Sequence, residues 1–257
     1  MTADLELAMR LADEADAITM RWWSPEGMQS SPKGDGSPVT EADIAAEAAL
    51  RDAIGAAHPD DGFVGEELGE RLGTSGRRWI VDPIDGTWFF AAGEPTWGTL
   101  IALEVDGELV LGLASSPALG RRWWAERGDG AFTSTAGQPA DARRIRVSTT
   151  TAVTPDRLAT LPPAEVLAAE VQRDLVRLAG GLPPRRSWSH QLAVAEGLLD
   201  ACVWWGGDLW DHAAPSVIVQ EAGGRVSDHA GGPRLDRRNV VHSNGLVHDQ
   251  VLAALAG

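Results

Sequence analysis

Two carboxylates three positions apart, Asp82 and Asp85, are followed at once by Gly86 and Thr87. The apolar run 79–81 before them predicts a buried strand, and the proline between the carboxylates is expected to end its pairing. Carboxylates this close repel each other unless protons or cations intervene, and such hard oxygen ligands suit Mg²⁺. Gly86 lets a ligand approach the backbone, and Thr87 can cap a helix whose free amides bind phosphate. We therefore expect metal ligands beside a phosphate site.

Three other segments offer the additional carboxylates that a site with two or three metal ions needs. Glu66 and Glu67 follow a short apolar run, and Asp211 opens an apolar stretch. Asp43 lies three residues after Thr40, which is placed to cap a helix that extends to about residue 57. Taken alone, Asp43 and Asp211 are also explained as carboxylates at helix starts, where the helix dipole favours negative charge. Their occurrence together with the first segment favours a functional site.

In their order along the chain, these segments resemble the inositol monophosphatase superfamily of Mg²⁺-dependent, Li⁺-sensitive phosphatases. The matching residues are Lys33 and the ranges 38–43, 65–67, 82–87 and 210–214. Segments 95–103 and 121–128 look most like the bacterial histidinol-phosphate phosphatase branch. The resemblance covers nearly the whole chain. It implies a layered αβαβα sandwich of the α/β or α+β class, and a homodimer.

The resemblance also implies how metal ions would be bound. Two Mg²⁺ ions, with one carboxylate shared between them, would be held by oxygen atoms of Glu66, Asp82, Ile84, Asp85 and Asp211. The shared carboxylate would be that of Asp82, and the Ile84 oxygen would be the backbone carbonyl. Mn²⁺ accepts the same ligands and is expected to substitute. Glu67 would hold a third, weaker ion or support the other two.

The same resemblance implies the catalytic and phosphate-binding groups. Asp43 and Thr87 would orient, and help to deprotonate, a metal-bound water, with Glu66 as the third catalytic residue. Asp85 and the amides of Gly86 and Thr87 would bind the phosphate. Lys33 stays open between a site residue and a loop cation.

The substrate pocket departs from the pattern of the family. Trp88 stands where many relatives have a polar residue, and Trp204 stands where relatives commonly have a Glu that contacts the substrate. The segment 185–191, which includes Ser187, aligns poorly with a family element that lines the pocket. Aromatic faces can stack on a planar group or contact a cation, but both tryptophans could equally pack in the core. The candidate substrate residues are Trp88, Ser187, Trp204 and Asp211.

These departures predict a phosphomonoesterase for a small phosphorylated metabolite, with a nucleoside monophosphate or a related biosynthetic intermediate as substrate. Histidinol phosphate is a close alternative, although its ammonium would have no partner where relatives have the Glu. Inositol monophosphate is another alternative. A catalytically inactive binding or regulatory protein is an alternative of another class, which the intact set of carboxylates argues against. A haloacid-dehalogenase-type nucleophile is excluded, because Pro83 stands two residues before Asp85.

Composition limits the partners and the compartment. The net charge of −15 offers no broad basic face, so a nucleic-acid polymer is not expected. The single cysteine, Cys202, cannot form an internal disulfide, which favours a cytoplasmic protein. Five acidic residues within 1–20 argue against a signal peptide there, and no apolar run reaches membrane-spanning length.

The predicted elements alternate, which indicates a layered α/β or α+β architecture. We expect an N-terminal half, 1–148, that carries most metal ligands, and a C-terminal half, 149–257, that supplies Asp211 and pocket residues. Helices are predicted at 4–22, 40–57, 164–179, 192–199, 211–222 and 246–255. Strands are predicted at 79–81, on both sides of an Asp106–Gly107 turn within 96–112, and at 122–126, 144–147, 200–205 and 240–243.

Overall fold

The structure is a computed structural model that describes residues 1–27, 31–32, 38–135, 141–183, 189–235 and 239–256, with only the backbone described at 31–32 and 38–39. The predicted site residues Lys33 and Ser187 lie outside the described residues. Among the described residues, no helix is both long and apolar enough to cross a membrane.

The described residues form α-helices and runs of consecutive β-strands. The α-helices are α1 (Ala3–Trp22), α2 (Glu41–Ala57), α3 (Thr87–Ala91), α4 (Ala169–Ala179), α5 (His190–Ala195), α6 (Leu209–Glu221) and α7 (His248–Leu255). The β-strands are β1 (Ser31–Pro32), β2 (Pro38–Val39), β3 (Gly62–Gly65), β4 (Gly69–Arg71), β5 (Arg77–Asp85), β6 (Gly98–Val105), β7 (Glu108–Ser116), β8 (Arg121–Glu126), β9 (Gly130–Thr135), β10 (Arg143–Ile145), β11 (Leu158–Leu161), β12 (Ala201–Trp205), β13 (Arg225–Asp228) and β14 (Asn239–Ser243). Short 3₁₀ helices cover Pro117–Leu119, Pro155–Arg157 and Ala164–Val166.

An eight-stranded sheet positions most of the acidic segments, with the strand order β10-β9-β8-β7-β6-β5-β3-β4. Its strand pairs are antiparallel except for β3 and β5, which run parallel with Gly65 opposite Val81. Parallel neighbours point toward the same edge of a sheet. The next residues, Glu66 and Asp82, therefore lie side by side although they are far apart in the sequence.

Helix α6 lies between this sheet and a four-stranded sheet of order β11-β12-β14-β13. One apolar cluster joins all three layers and includes Ile80 of β5, Val217 of α6 and Cys202 of β12. Gly112 of β7 permits the close approach, because a Cβ there would overlap the Ala214 carbonyl oxygen of α6. Helices α1 and α2 cover the outer face of the first sheet, and α4 and α7 cover that of the second. This order of layers confirms the predicted αβαβα sandwich.

The predicted division at residues 148 and 149 falls between the last strand of the first sheet, β10, and the first strand of the second, β11. Helix α6 belongs to the C-terminal half by sequence, but it packs against β6 and β7 of the first sheet. The two halves therefore share one core, and their status as separate units stays a prediction.

The strand predicted to end at Pro83 continues to Asp85, so that part of the prediction is wrong. Pairing between β5 and β6 breaks after Asp82 and resumes where Asp85 lies opposite Gly98. Proline has no N–H to donate to the ladder, which explains the break. The sheet tolerates the break because β6 pairs with β5 again at Asp85, beyond the proline.

Other differences are at the ends of elements or in short strands. The helix predicted at 164–179 is wrong in its first part, because a 3₁₀ turn precedes α4, which begins only at Ala169. The helix predicted from Asp211 begins two residues earlier, at Leu209. Strands β4, β9, β11 and β13 were not predicted, since they are short and depend on partners elsewhere in the chain.

A buried ion pair holds α1 against the first sheet. Arg122 of β8 is only 3% exposed, and its guanidinium donates to Asp16 at 2.6 Å and to Asp13 at 2.9 Å, both on α1. Ser115 of β7 donates a further hydrogen bond to Asp16. Burial raises the pKa of Asp16, and the charge of Arg122 opposes that rise. The arginine therefore compensates a carboxylate that the packing of α1 has removed from water.

We predict that Arg122→Leu lowers the free energy of unfolding by about 3 kcal/mol, because it leaves Asp16 buried without its cation. Urea denaturation of the variant and of wild type measures the loss. Arg10→Leu, at an exposed position of α1, is the matched control and is expected to change the free energy by less than about 0.5 kcal/mol. An equal effect of both substitutions would contradict the compensating role of Arg122.

Candidate active site

Three carboxylates converge where β5 ends and α6 begins. One oxygen each of Asp82, Asp85 and Asp211 lies within 4.8 Å of the others. Asp82 is 1% exposed, and Asp85 and Asp211 are half-buried. Strand β5 supplies the first two residues across its break in pairing, and the first turn of α6 supplies the third.

The electrostatics of this cluster are those of a cation site. Burial raises the pKa of Asp82 well above its ordinary value of 3.8, and the charges of Glu66, Asp85, Asp211 and Asp43 raise it further. Burial also raises the pKa of Asp211, and Asp85 and Glu66 add to that rise. All the donors are carboxylate oxygens, the ligand type that Mg²⁺ and Ca²⁺ prefer. The residues present therefore fit a hard divalent cation, whose charge would offset their repulsion.

The turn from Asp82 to Thr87 is fixed by its own hydrogen bonds. Asp82 Oδ1 accepts from the Ile84 amide at 3.0 Å, and the Thr87 hydroxyl donates to the Ile84 carbonyl at 3.0 Å. Gly86 precedes α3 with φ of +88°, a left-handed conformation that favours glycine. These bonds fix the backbone at Ile84, whose carbonyl, the predicted backbone ligand, faces the Thr87 hydroxyl.

Asp43 has the helix-start role considered from the sequence and also lies near the carboxylate cluster. It is fully buried on α2 and closes a capping box, in which its Oδ2 accepts from the Thr40 amide at 2.9 Å and the Thr40 hydroxyl at 2.7 Å. Its charge also contributes to the raised pKa of Asp82, which shows that it lies near the cluster. The pairing of Asp43 with Thr87 stays a prediction.

Glu66 and Glu67 lie in the turn after β3, beside the cluster. Glu66 lies close enough for its charge to raise the pKa of both Asp82 and Asp211, although it is not one of the three residues within 4.8 Å. The Glu67 amide donates to the carboxylate of Glu47 on α2 at 2.8 Å. Both glutamates are thus near the site, and their roles as metal ligands stay predictions.

The two candidate tryptophans have different surroundings. Trp88 is 66% exposed on the short helix α3, directly after Thr87. Trp204 is 7% exposed on β12 and packs at right angles on His212, with ring centroids 4.9 Å apart. Trp88 is therefore open to solvent beside the Gly86–Thr87 turn, whereas the position of Trp204 favours packing over substrate contact.

His212 lies in the core. It is fully buried, and its Nε2 lies 3.3 Å from the Gly206 carbonyl oxygen. Burial lowers its pKa to about 4, so the ring is neutral near pH 7. The histidine supports the turn before α6 and adds no charge to the carboxylate cluster.

Sequence reasoning missed two residues beside the site, Glu47 and Asp208. Asp208 precedes α6 and closes a capping box with Asp211, in which its amide donates to Asp211 Oδ2. Its spacing of three residues from Asp211 is the same signal that revealed the Thr40–Asp43 box. Glu47 lies one helical turn after Asp43, and that spacing could have marked it as facing the same side of α2.

The profile of the inositol monophosphatase family matches residues 2–256. The chain belongs to the inositol monophosphatase family. A Streptomyces griseus protein named glucose-1-phosphate thymidylyltransferase is 41% identical over 271 residues, which cover 99% of this chain and 95% of that protein. A histidinol-phosphatase of Mycobacterium tuberculosis is 39% identical over 257 residues, which cover 98% of this chain and 97% of that protein.

The fold agrees with this membership. The crystal structure of the extragenic suppressor protein suhB from Bartonella henselae matches with a TM-score of 0.85 and 31% identity, over 99% of this chain and 98% of that chain. The family is metal-dependent, and its members are phosphoric monoester hydrolases. The chain is therefore an enzyme of that class with an acidic group that could bind a metal ion.

We predict that buried charge on Asp82 and Asp211 lowers the stability of the metal-free protein as the pH rises above about 4, relative to a protein that lacks these carboxylates. The pKa values of Asp82 and Asp211 are raised in the folded state, so the folded chain retains protons that the unfolded chain has released. Their contribution is complete below 3.8 and is lost as the pH passes their raised values, by up to about 1.4 kcal/mol per pH unit per proton. Urea denaturation in EDTA from pH 4 to 8 measures the fall.

The variant Asp82→Asn isolates this effect from the other titrating groups. Its asparagine carries no charge, so the free energy of unfolding at pH 8, relative to that at pH 4, should be higher than in wild type. Saturating Mg²⁺ should remove the difference at neutral pH, because a bound cation stabilises the folded wild type. Identical pH profiles for the two metal-free proteins would contradict the assignment of buried charge to Asp82.

Proposed function

We propose that the chain is a Mg²⁺-dependent phosphomonoesterase that hydrolyses a small phosphorylated metabolite with water as the nucleophile. The convergence of Asp82, Asp85 and Asp211 beside the Gly86–Thr87 turn carries this proposal. Two ions would be held by Glu66, Asp82, the Ile84 carbonyl, Asp85 and Asp211, and a third by Glu67. When bound, Mg²⁺ supplies positive charge to the phosphoryl group and lowers the pKa of water.

The residues of the chain supply position and proton transfer. The amides of Gly86 and Thr87 hold the phosphate beside the carboxylate cluster, and Asp85 acts on it through the cation that it would bind. Asp43, held by Thr40, accepts a proton from the attacking water, and the Thr87 hydroxyl orients that water. Phosphoryl transfer depends mainly on such positioning and on neutralisation of charge.

Histidinol phosphate is the substrate that the relatives support best. The Mycobacterium tuberculosis relative carries that activity in its name and spans nearly the same length as this chain. The exposed ring of Trp88 can contact the ammonium or the imidazole of such a substrate.

A nucleoside monophosphate is the second candidate. The observation in its favour is again Trp88, whose exposed face next to the phosphate turn can stack on a base. The substitution of the family's substrate-contacting Glu by Trp204 also removes a partner for an ammonium group. Inositol monophosphate is the third candidate, supported by the family alone.

Assembly and location also remain proposals. The resemblance to the family supports a homodimer. The single cysteine, which is buried on β12, supports a cytoplasmic protein. Size-exclusion chromatography with light scattering tests the homodimer.

We predict that Asp82→Asn loses at least about 100-fold in kcat/KM while it retains the fold, because the substitution removes the shared carboxylate. Phosphate release from β-glycerophosphate at saturating Mg²⁺ measures the loss, and circular dichroism checks the fold. Asp52→Asn, at an exposed position of α2, is the matched control. Turnover like that of wild type in Asp82→Asn would contradict the metal site.

A substrate panel with wild type and Trp88→Ala separates the candidate substrates. Loss of a stacked base, about 1–3 kcal/mol, should raise KM for a nucleotide about 5- to 150-fold, whereas loss of an exposed cation–π contact, about 0.5–1 kcal/mol, should raise KM for histidinol phosphate only about 2- to 5-fold. β-Glycerophosphate has no ring or cation, so its KM should not change. Trp22→Ala, another exposed tryptophan, is the control.

The panel also includes inositol monophosphate and a mixture of glucose 1-phosphate with dTTP, the reaction in the name of the Streptomyces griseus relative. Preference for histidinol phosphate would support the first candidate, and preference for a nucleotide would support the second. Formation of a sugar nucleotide without phosphate-ester hydrolysis would overturn the phosphatase assignment.

A further inference from the structure

Glu47 of α2 makes two hydrogen bonds to the turn that carries Glu66. It is fully buried, one helical turn after Asp43. Its Oε2 accepts from the Glu67 amide at 2.8 Å, and its Oε1 accepts from the Leu68 amide at 2.7 Å. Each oxygen of the carboxylate therefore holds one amide of the turn.

The same carboxylate also restricts the residue before Glu66, which is Gly65. A Cβ at Gly65 would overlap Oε1 of Glu47, so that position accepts only a glycine while Glu47 is in place. Glu66 thus lies between two residues, Gly65 and Glu67, that both contact Glu47. The path of the turn on either side of Glu66 is set by one side chain.

A buried carboxylate at this point costs more free energy than an apolar side chain of the same size would. Removal from water disfavours its charge, and the charges of Glu67 and Glu66 add repulsion. An apolar side chain would fill the space without that cost, but it could not accept from two amides. The presence of a glutamate is therefore explained by the need to hold the turn.

We propose that Glu47 is a positioning residue that holds Glu66 toward the carboxylate cluster, and so sets the affinity of the site for its metal ion. This inference rests on the proposed role of Glu66 as a metal ligand. Helix α2 then has two functions at the site, because it carries Asp43 directly and positions Glu66 through Glu47. Glu47 itself touches neither the substrate nor the metal ion.

The variant Glu47→Gln tests the proposal. The amide keeps one acceptor but turns a donor toward one of the two amides, so one hydrogen bond is replaced by a contact between two N–H groups. Calorimetric titration of the metal-free protein with Mg²⁺ should show a dissociation constant raised about 10- to 100-fold. The Mg²⁺ concentration for half-maximal hydrolysis of β-glycerophosphate should rise in parallel.

Two further proteins keep the test decisive. Glu41→Gln makes the same substitution at an exposed position of α2 and should retain the Mg²⁺ affinity of wild type. Gly65→Ala leaves Glu47 chemically intact but displaces its carboxylate, and it should weaken Mg²⁺ binding as Glu47→Gln does. If Glu47→Gln does not fold, as judged by circular dichroism, Gly65→Ala and the shorter Glu47→Asp are titrated in its place.

The outcomes distinguish this inference from the proposed function. A lower melting temperature with an unchanged Mg²⁺ dissociation constant in the Glu47 and Gly65 variants would overturn the positioning role, since a purely structural residue predicts that result. Weaker Mg²⁺ binding by the Glu47 and Gly65 variants, with wild-type affinity in Glu41→Gln, supports the positioning role. Hydrolysis by wild type in EDTA, or no binding of Mg²⁺ to wild type, would instead overturn the proposed function.

Discussion

Repulsion among carboxylates held partly out of water at the end of β5 is the constraint around which the site is arranged. Each ionised group that is buried loses several kcal/mol of solvation, and each neighbour of the same sign adds to the cost. The apolar core shared by both sheets and α6 stabilises the fold against that cost. A divalent cation between the carboxylates would attract each of them and offset their mutual repulsion. The cluster is therefore explained by metal binding and not by ordinary packing.

The acidic residues are also part of the secondary structure. Asp43 and Asp211 each close a capping box at the start of a helix, and Asp82 accepts a hydrogen bond from the amide of Ile84. A carboxylate has two oxygens, so one can satisfy a backbone amide while the other faces the site. The hydrogen bonds that begin α2 and α6 therefore also orient carboxylates, and helix stability and site geometry depend on the same side chains.

Sequence reasoning reached the features that depend on local spacing. The aspartates of the 82–87 segment and the capped helix after Thr40 are read from short patterns, and the resemblance to the family implied the αβαβα fold. The role of Glu47 was not predicted, because a glutamate within a helix is usually exposed to solvent. Only the structure shows that the turn after β3 packs against it. The continuation of β5 past Pro83 was not predicted for a similar reason, since pairing resumes only through contact with the neighbouring strand β6.

The two tryptophans show why the substrate is harder to infer than the chemistry. A tryptophan in a sequence can stack on a ligand or fill a core, and only its neighbours decide which. Trp204 lies between β11 and β14 and against His212, so the residue at the position of the family's Glu contributes volume there and no charge. The pocket has then lost a polar contact without gaining an aromatic one from Trp204. Trp204 therefore does not explain discrimination between phosphorylated substrates, whereas Trp88 is an exposed aromatic residue beside the Gly86–Thr87 turn.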